Sequence, residues 1–139
     1  DSIIEKRESK NISEIISEKG WDYFRTREKE VIRDVSKENN AVISLGGGAL
    51  MDKENVGSLK DSLFILLKAD IQTMRSRMER DAPRPSLTNE NAQNEIGTIM
   101  AERAPVYEEI ADIIIDTDGL SVYEVCDKIL LELEKRRLM

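Results

Sequence analysis

The sequence predicts an α/β fold in which helices pack on a parallel sheet. Three segments rich in Ile, Leu and Val are typical of buried strands, and they are residues 41–45, 63–68 and 113–115. The stretches between them carry apolar residues three and four positions apart, which is the spacing of amphipathic helices. Alternation of the two patterns favours parallel strands joined by helices. A length of 139 residues is that of one domain, predicted over 1–139.

Helices are predicted before the first strand. Residues 1–9 are expected to form a short helix. Asn11 followed three residues later by Glu14 is a helix N-terminal signature, so a second helix begins there, and Gly20 is expected to end it. Residues 21–37 then form a longer helix with aromatic and branched residues on its inner face.

The first predicted strand, residues 41–45, leads directly into three consecutive glycines. These glycines are Gly46, Gly47 and Gly48. The carboxyl ends of strands are where open α/β sheets bind ligands. Glycine also lets a ligand approach the backbone closely, so that N–H groups can donate to it. The sequence therefore predicts a ligand-binding loop here.

The middle of the chain combines a strand with two helices and a polar loop. Residues 55–61 are predicted to be a short helix or turn, and 63–68 the second buried strand. A helix is expected over about 70–78. The stretch 79–94 is rich in Pro, Asn and charged residues and poor in apolar ones, so it is predicted to be a mobile lid loop.

The last third is predicted to be helix, strand and helix. The first helix runs from about 94 to 110 and is expected to be interrupted near Pro105. The third strand covers 113–115, and a turn at 116–119 follows it. The final helix starts at Ser121 and carries an apolar stripe that is predicted to face the core.

Composition excludes several classes of function. The chain has no histidine, which removes His-based zinc sites and His-dependent nucleophilic catalysis. Its net charge of −7 disfavours nonspecific binding to nucleic acid. The single cysteine, Cys126, is predicted to be a small core residue. With neither a membrane-length apolar run nor a secretory signal in the sequence, we predict a cytoplasmic protein that does not bind membranes.

Short motifs spread along the chain resemble those of shikimate kinases. In chain order they are Asp1-Ser2-Ile3-Ile4-Glu5, Phe24-Arg25 with Glu28, Gly46-Gly47-Gly48, Arg84-Pro85-Ser86-Leu87, Arg103-Ala104-Pro105-Val106-Tyr107 and Ile115-Asp116-Thr117. Each is short enough to occur by chance, but their order and spacing together are specific. The sequence departs from the family's usual leucine at Ser86, a change expected to alter lid packing more than chemistry.

This resemblance implies a fold and an activity. The fold is that of a P-loop kinase, a three-layer α/β/α arrangement with a parallel sheet of strand order 2-3-1-4-5. The activity is transfer of the γ-phosphoryl group of ATP, with Mg²⁺, to the 3-hydroxyl of shikimate, a step in aromatic amino acid biosynthesis. The implied partners are shikimate and ATP, and the enzyme is expected to be a monomer.

The resemblance also implies the site residues. The substrate-binding set is Asp1, Arg25, Gly46, Gly47, Gly48 and Arg103. The set for the ATP cofactor is Arg77, Arg84, Asp116 and Thr117. Catalytic roles are implied for Asp1 and Arg84.

The chemistry of shikimate agrees with these assignments. Arg25 and Arg103 can bind its carboxylate in a planar, bidentate manner that lysine cannot reproduce. Asp1 can accept a hydrogen bond from a ring hydroxyl and orient the attacking oxygen, or act as its base. Arg84 on the lid would stabilise charge on the transferring phosphoryl group, while lid closure excludes water.

One feature of a P-loop kinase does not occur in the 139 residues, namely a phosphate-binding G-x-x-x-x-G-K-[ST] motif. By resemblance it belongs with a first strand, a first helix and the Mg²⁺ ligands, all ahead of Asp1, so no metal ligand is assigned here. We therefore expect a polypeptide of these residues alone to be inactive. We also expect it to be unstable or to associate through exposed strand edges, because the first strand would lie between 41–45 and 63–68.

Two alternative functions stay open at this point. The chain could be a noncatalytic shikimate-binding or regulatory relative that retains Asp1, Arg25 and Arg103. It could also be a related kinase of another small hydroxylated acid, such as gluconate. The paired arginines favour a cyclic carboxylate over gluconate.

Overall fold

The computed structural model describes residues 1–80 and 92–137. The chain divides into two compact units, Asp1–Ser62 and Leu63–Met139. Arg84 and most of the predicted lid over 79–94 lie outside the described residues. The described ends of that range are helical, since 79–80 and 92–94 belong to the helices on either side.

The first unit begins with two helices. α1 covers Ser2–Glu8, and α2 covers Ile12–Val35. The predicted capping of α2 is confirmed, because the Glu14 N–H donates to Asn11 Oδ1 at 2.9 Å. Gly20 has a φ of 84° inside α2, so the helix kinks there, in a conformation that favours glycine.

A buried apolar cluster holds α1 against α2. Its members come from both helices, and they are Ile4, Ile15, Ile16, Phe24 and Val31. The Tyr23 hydroxyl adds a polar link, because it donates to Glu8 at 2.9 Å. This packing fixes the face of α2 that the glycine loop meets.

The segment 41–45 is not a strand, so that prediction is wrong. Val42 is fully exposed, and the sheet of the described residues contains two other strands only. A strand needs a hydrogen-bonded neighbour, and none of the described residues supplies one to this segment. The glycine loop that follows is ordered by a 3-10 turn at Ala49–Met51 and then by α3 at Lys53–Ser58.

The second unit is built around two parallel strands. β1 covers Ile65–Lys68 and β2 covers Ile113–Asp116, with Ile65 opposite Ile113. The remaining helices are α4 at Ile71–Arg80, α5 at Ala92–Ile110 and α6 at Val122–Lys135. The parallel pairing and the intervening helices confirm the α/β class predicted from the sequence.

Four details of this unit differ from the predictions. The strand predicted as buried over 63–68 begins only at Ile65, and none of its residues is buried. α5 continues through Pro105, so the predicted interruption is wrong: a proline removes one helix hydrogen bond, and the neighbouring turns carry the rest. The apolar stripe of α6 is not a core face, since none of its residues is buried. Cys126 on this helix is exposed for the same reason and is not a core residue.

Among the described helices, none is both long and apolar enough to cross a membrane.

Candidate functional site

The glycine loop lies directly against charged side chains of the first unit. A Cβ atom placed on Gly46 would be 3.1 Å from Asp1 Oδ1 and 3.1 Å from Glu28 Oε2. A Cβ atom on Gly48 would be 2.8 Å from Arg25 Cζ. A side chain at Gly48 would therefore require the Arg25 guanidinium to move, and one at Gly46 would crowd the two carboxylates. Glycine at positions 46 and 48 thus lets the backbone approach these groups closely.

Arg25 is held in place by a buried carboxylate and by aromatic rings. Its Nη1 donates to Glu28 Oε1 at 2.9 Å, across one turn of α2, and Glu28 is 4% exposed. The guanidinium carbon also lies 5.3 Å from the Trp21 ring centroid and 5.4 Å from that of Phe24. These contacts restrain the guanidinium plane, and among the described residues only Nη1 has a hydrogen-bond acceptor. Its other N–H donors can serve an anion.

Glu28 was absent from the predicted site, although its motif with Phe24 and Arg25 was visible in the sequence. The signal that could have found it is the i,i+3 spacing from Arg25, which places the two side chains on one face of α2. Burying a carboxylate costs free energy unless the charge is paired, and here Arg25 pairs with Glu28. We read this pair as the element that fixes Arg25.

Asn55 is a second residue that sequence reasoning missed. It lies on α3 with 2% of its surface exposed, and its Nδ2 donates to the Ala49 carbonyl oxygen at 2.8 Å. No local pattern in the sequence predicts this contact. It joins α3 to the preceding loop, so it depends on how the chain folds between them.

The start of α3 is also tied to α2 by charge. Lys29 Nζ lies 2.9 Å from Asp52 Oδ2 and 3.1 Å from Glu54 Oε2. The Lys29 ammonium, followed by the Glu54 backbone N–H, lowers the pKa of Asp52. Asp52 first and Glu54 second raise the pKa of Lys29. The pair is partly exposed, so water and salt screen it.

In the second unit, Arg77 of α4 meets the residue that follows β2. Its Nη1 donates to Thr117 Oγ1 at 3.0 Å, and its Nη2 donates to the Thr117 carbonyl oxygen at 3.1 Å. Thr117 is 4% exposed, and its hydroxyl donates to the Lys68 carbonyl oxygen at 2.9 Å. The carboxyl ends of both strands and α4 are thus joined at Thr117.

Asp116 lies at the same end of β2 and is exposed. Its Oδ1 accepts from the Asp118 backbone N–H at 2.9 Å, and Asp118 in turn accepts from the Asp70 N–H at 2.9 Å. These bonds shape the turn after β2. Arg77, Asp116 and Thr117, three of the predicted cofactor residues, thus lie at the carboxyl ends of the two strands.

The other predicted residues are placed as follows. Asp1, Arg25, Gly46 and Gly48 come together in the first unit, and Gly47 lies between the two glycines in the chain. Arg103 lies on α5 in the second unit and is half-buried. Arg84 belongs to the range that the structure does not describe.

Metal ligands were predicted to lie outside this sequence. Within residues 1–80 and 92–137, no group of three or more acidic or thiol side chains has the arrangement that could hold a metal ion. Of the carboxylates at the glycine loop, that of Glu28 accepts a hydrogen bond from Arg25, and that of Asp1 lies near the Gly46 backbone.

Comparison with known proteins places this geometry in a family. The shikimate kinase family matches residues 1–134. A shikimate kinase of Thermodesulfovibrio yellowstonii is 38% identical over 136 residues, which cover 97% of this chain and 78% of that protein. One from Photobacterium profundum is 34% identical over 137 residues, covering 98% and 78%.

Solved structures agree with the sequence comparison. Shikimate kinase from Acinetobacter baumannii in complex with shikimate is similar with a TM-score of 0.91 and 28% identity, over 100% of this chain and 78% of that one. Shikimate kinase from Aquifex aeolicus gives 0.79 and 32%, over 99% and 80%. These likenesses confirm the predicted α/β P-loop kinase fold. The chain belongs to the shikimate kinase family, whose members are ATP-using transferases.

Proposed function

We propose that this member of the family transfers the γ-phosphoryl group of ATP to the 3-hydroxyl of shikimate, giving shikimate 3-phosphate. The observation that carries the proposal is the contact of the glycine loop with one guanidinium and two carboxylates, from Arg25, Asp1 and Glu28. A cation beside carboxylates, around a backbone without side chains, matches a small ring that bears one carboxylate and several hydroxyls.

Arg25 is the group that we assign to the shikimate carboxylate. Its planar fork can donate two parallel hydrogen bonds to a carboxylate, and the Glu28 contact holds that fork before substrate arrives. Pre-orientation of this kind lowers the entropy lost on binding. Arg103 is proposed as the second carboxylate ligand on the strength of its motif.

Asp1 is the group that we assign to the attacking hydroxyl. Its carboxylate lies close to the Gly46 backbone, where it can accept a hydrogen bond from a ring hydroxyl of a bound acid. That hydrogen bond would orient the hydroxyl oxygen for in-line attack on the phosphorus. The Asp1 carboxylate would also be placed to receive the hydroxyl proton. The loop glycines Gly46, Gly47 and Gly48 let the ring approach backbone donors.

The nucleotide side is assigned to the end of β2. Arg77 is held in a fixed plane by Thr117, and a fixed guanidinium plane can stack on a nucleotide base. Asp116 and Thr117 would border adenine, while Arg84 would stabilise charge on the transferring group. ATP supplies the phosphoryl group in this reaction.

Mg²⁺ is expected from phosphoryl-transfer chemistry in general. The described residues contain no ligand set that fits it, so no step is assigned to the metal here. The sequence also has no G-x-x-x-x-G-K-[ST] segment for the phosphates. We propose that a polypeptide of these 139 residues alone binds shikimate without turning over. A monomeric state and a cytoplasmic location stay predictions.

Calorimetric titration with shikimate tests the acceptor site, after circular dichroism has shown that the chain is folded. Arg25→Lys keeps the charge but loses the fork, so we expect the Kd for shikimate to rise about tenfold or more. Arg33→Lys is the matched control, since Arg33 is an exposed residue of the same helix. Equal loss in both variants, or preference for gluconate over shikimate, would overturn the proposal.

A second candidate is a noncatalytic shikimate-binding relative. One observation favours it: Asp1, Arg25 and the glycine loop come together within the first unit, and these groups suffice for binding a small acid without transfer. Both candidates bind shikimate, so binding does not separate them. Reading the upstream genomic frame for G-x-x-x-x-G-K-[ST] does, because only the kinase requires it.

A further inference from the structure

Asn55 is one of the most deeply buried side chains in the first unit, and it is polar. It is 2% exposed, the same fraction as the apolar core residue Leu59. Burial of an amide is unfavourable unless its hydrogen bonds are made. The function of Asn55 must therefore lie in the bonds that it makes.

Only half of the Asn55 amide is satisfied. Its Nδ2 donates to the Ala49 carbonyl oxygen at 2.8 Å, while its Oδ1 is buried and has no donor among the described residues. An apolar side chain of similar size would fill the same space without an unpaired acceptor. Packing alone thus does not explain an asparagine here, and the bond to Ala49 does.

That bond completes the fixing of the glycine loop. The Ala49 N–H donates to the Gly46 carbonyl oxygen at 3.1 Å, and the Met51 N–H donates to that of Gly48 at 3.2 Å. Asn55 takes the one remaining group of Ala49, its carbonyl. Both sides of Ala49 are then held, and Gly48 stays against the Arg25 guanidinium.

We propose that Asn55 is a positioning residue for acceptor binding, which keeps the loop from Gly46 to Gly48 at the distance from Asp1 and Arg25 that shikimate requires. This inference rests on the proposed function, because it takes that loop as the shikimate site. Asn55 itself does not touch the substrate and acts through the backbone of Ala49.

The test is shikimate titration of Asn55→Ala and Asn55→Asp, together with amide hydrogen exchange. Both variants lose the donor, and the aspartate also sets an acceptor against the Ala49 carbonyl. We expect the Kd for shikimate to rise about fivefold in the alanine variant and more in the aspartate variant. Asn39→Asp is the matched control, since Asn39 is exposed and receives the same change of charge.

Hydrogen exchange separates positioning from a general loss of structure. The amides of Ala49 and Met51 should exchange faster in both Asn55 variants, while those in the middle of α2 keep their protection. Unchanged affinity, or equal loss of protection in α2, overturns the inference and leaves the proposed function standing. Failure of the unmodified chain to bind shikimate overturns the proposed function itself.

Discussion

The two units differ in how they hold their predicted binding residues. In the first unit, Arg25 and the glycine loop rest on a helix pair with a buried apolar cluster. In the second, Arg77 and Thr117 are joined mainly by hydrogen bonds at the end of a two-stranded sheet. The proposed acceptor side is therefore preorganised by packing, and the proposed nucleotide side by polar contacts.

The second unit also leaves more apolar surface uncovered. Leu67 of β1 is 52% exposed, and neither α4 nor α6 has a buried residue. An open groove of about 620 Å³ runs between β1, α4 and α5. Two strands alone rarely make a stable sheet, so this unit depends on each remaining contact. The following predictions test this contrast.

The largest effect is expected from the core of the first unit. Phe24→Ala should lower the free energy of unfolding by about 3 to 5 kcal/mol, because a buried ring is replaced by a cavity. Leu131→Ala, at a position 51% exposed on α6, should change it by less than about 1 kcal/mol. Chemical denaturation of the two variants measures both. Similar losses would mean that the two units are packed alike.

The next effect concerns the glycine loop and binding. Gly48→Ala forces a Cβ into the Arg25 guanidinium, so we expect the Kd for shikimate to rise about 10- to 100-fold. Gly57→Ala is the control, because a Cβ there meets nothing within 4 Å. Calorimetry gives both values. An unchanged Kd for shikimate in Gly48→Ala would show that Arg25 is not part of the acceptor site.

A smaller effect is expected at the end of β2. Thr117→Val keeps the side-chain shape but removes the hydroxyl that bonds Lys68 and Arg77, which should cost about 1 to 2 kcal/mol. Thr26→Val removes an exposed hydroxyl that bonds only its own helix and should cost much less. Thermal unfolding compares them. Equal melting temperatures would show that packing, not hydrogen bonding, holds this edge.

The smallest effect is the acid dependence of the contact between Asp52 and Lys29. Because the folded state lowers the pKa of Asp52, this contact adds stability above about pH 4 and loses it as the pH falls through the lowered value. Asp52→Asn keeps a helix-capping side chain but removes the charge, so its stability should fall less on acidification. Free energies of unfolding, measured for both proteins from pH 2 to 6 in steps of about one pH unit, give the comparison. Parallel curves would show that the pair contributes nothing.

The sequence predicted what depends on local chemistry. Asn11 with Glu14 caps α2 as expected, and Gly20 interrupts it, because these effects act within a few residues. The resemblance put Asp1, Arg25 and the glycines in one binding set. The structure brings Asp1 and Arg25 against Gly46 and Gly48, and their binding role stays a prediction. The predicted strand at 41–45 failed because a strand forms only beside a partner, which local sequence does not contain.

Other features depend on contacts between distant segments. Asn55 carries no local signal, since its bond to Ala49 becomes visible only when α3 folds back on the loop. The stripe of α6 shows that a periodic pattern predicts an amphipathic helix but not what covers it. Glu28 belongs to a motif with Arg25 that the sequence shows, but only the structure shows that Glu28 is buried.

Amide chemical shifts recorded during a shikimate titration test the central claim most directly, namely that the first unit carries a preorganised acceptor site. The account predicts that changes in this unit concentrate at 46–49 and around Arg25, with the rest of α2 unchanged. Changes spread over the whole unit, or changes that leave 46–49 unaffected, would contradict it.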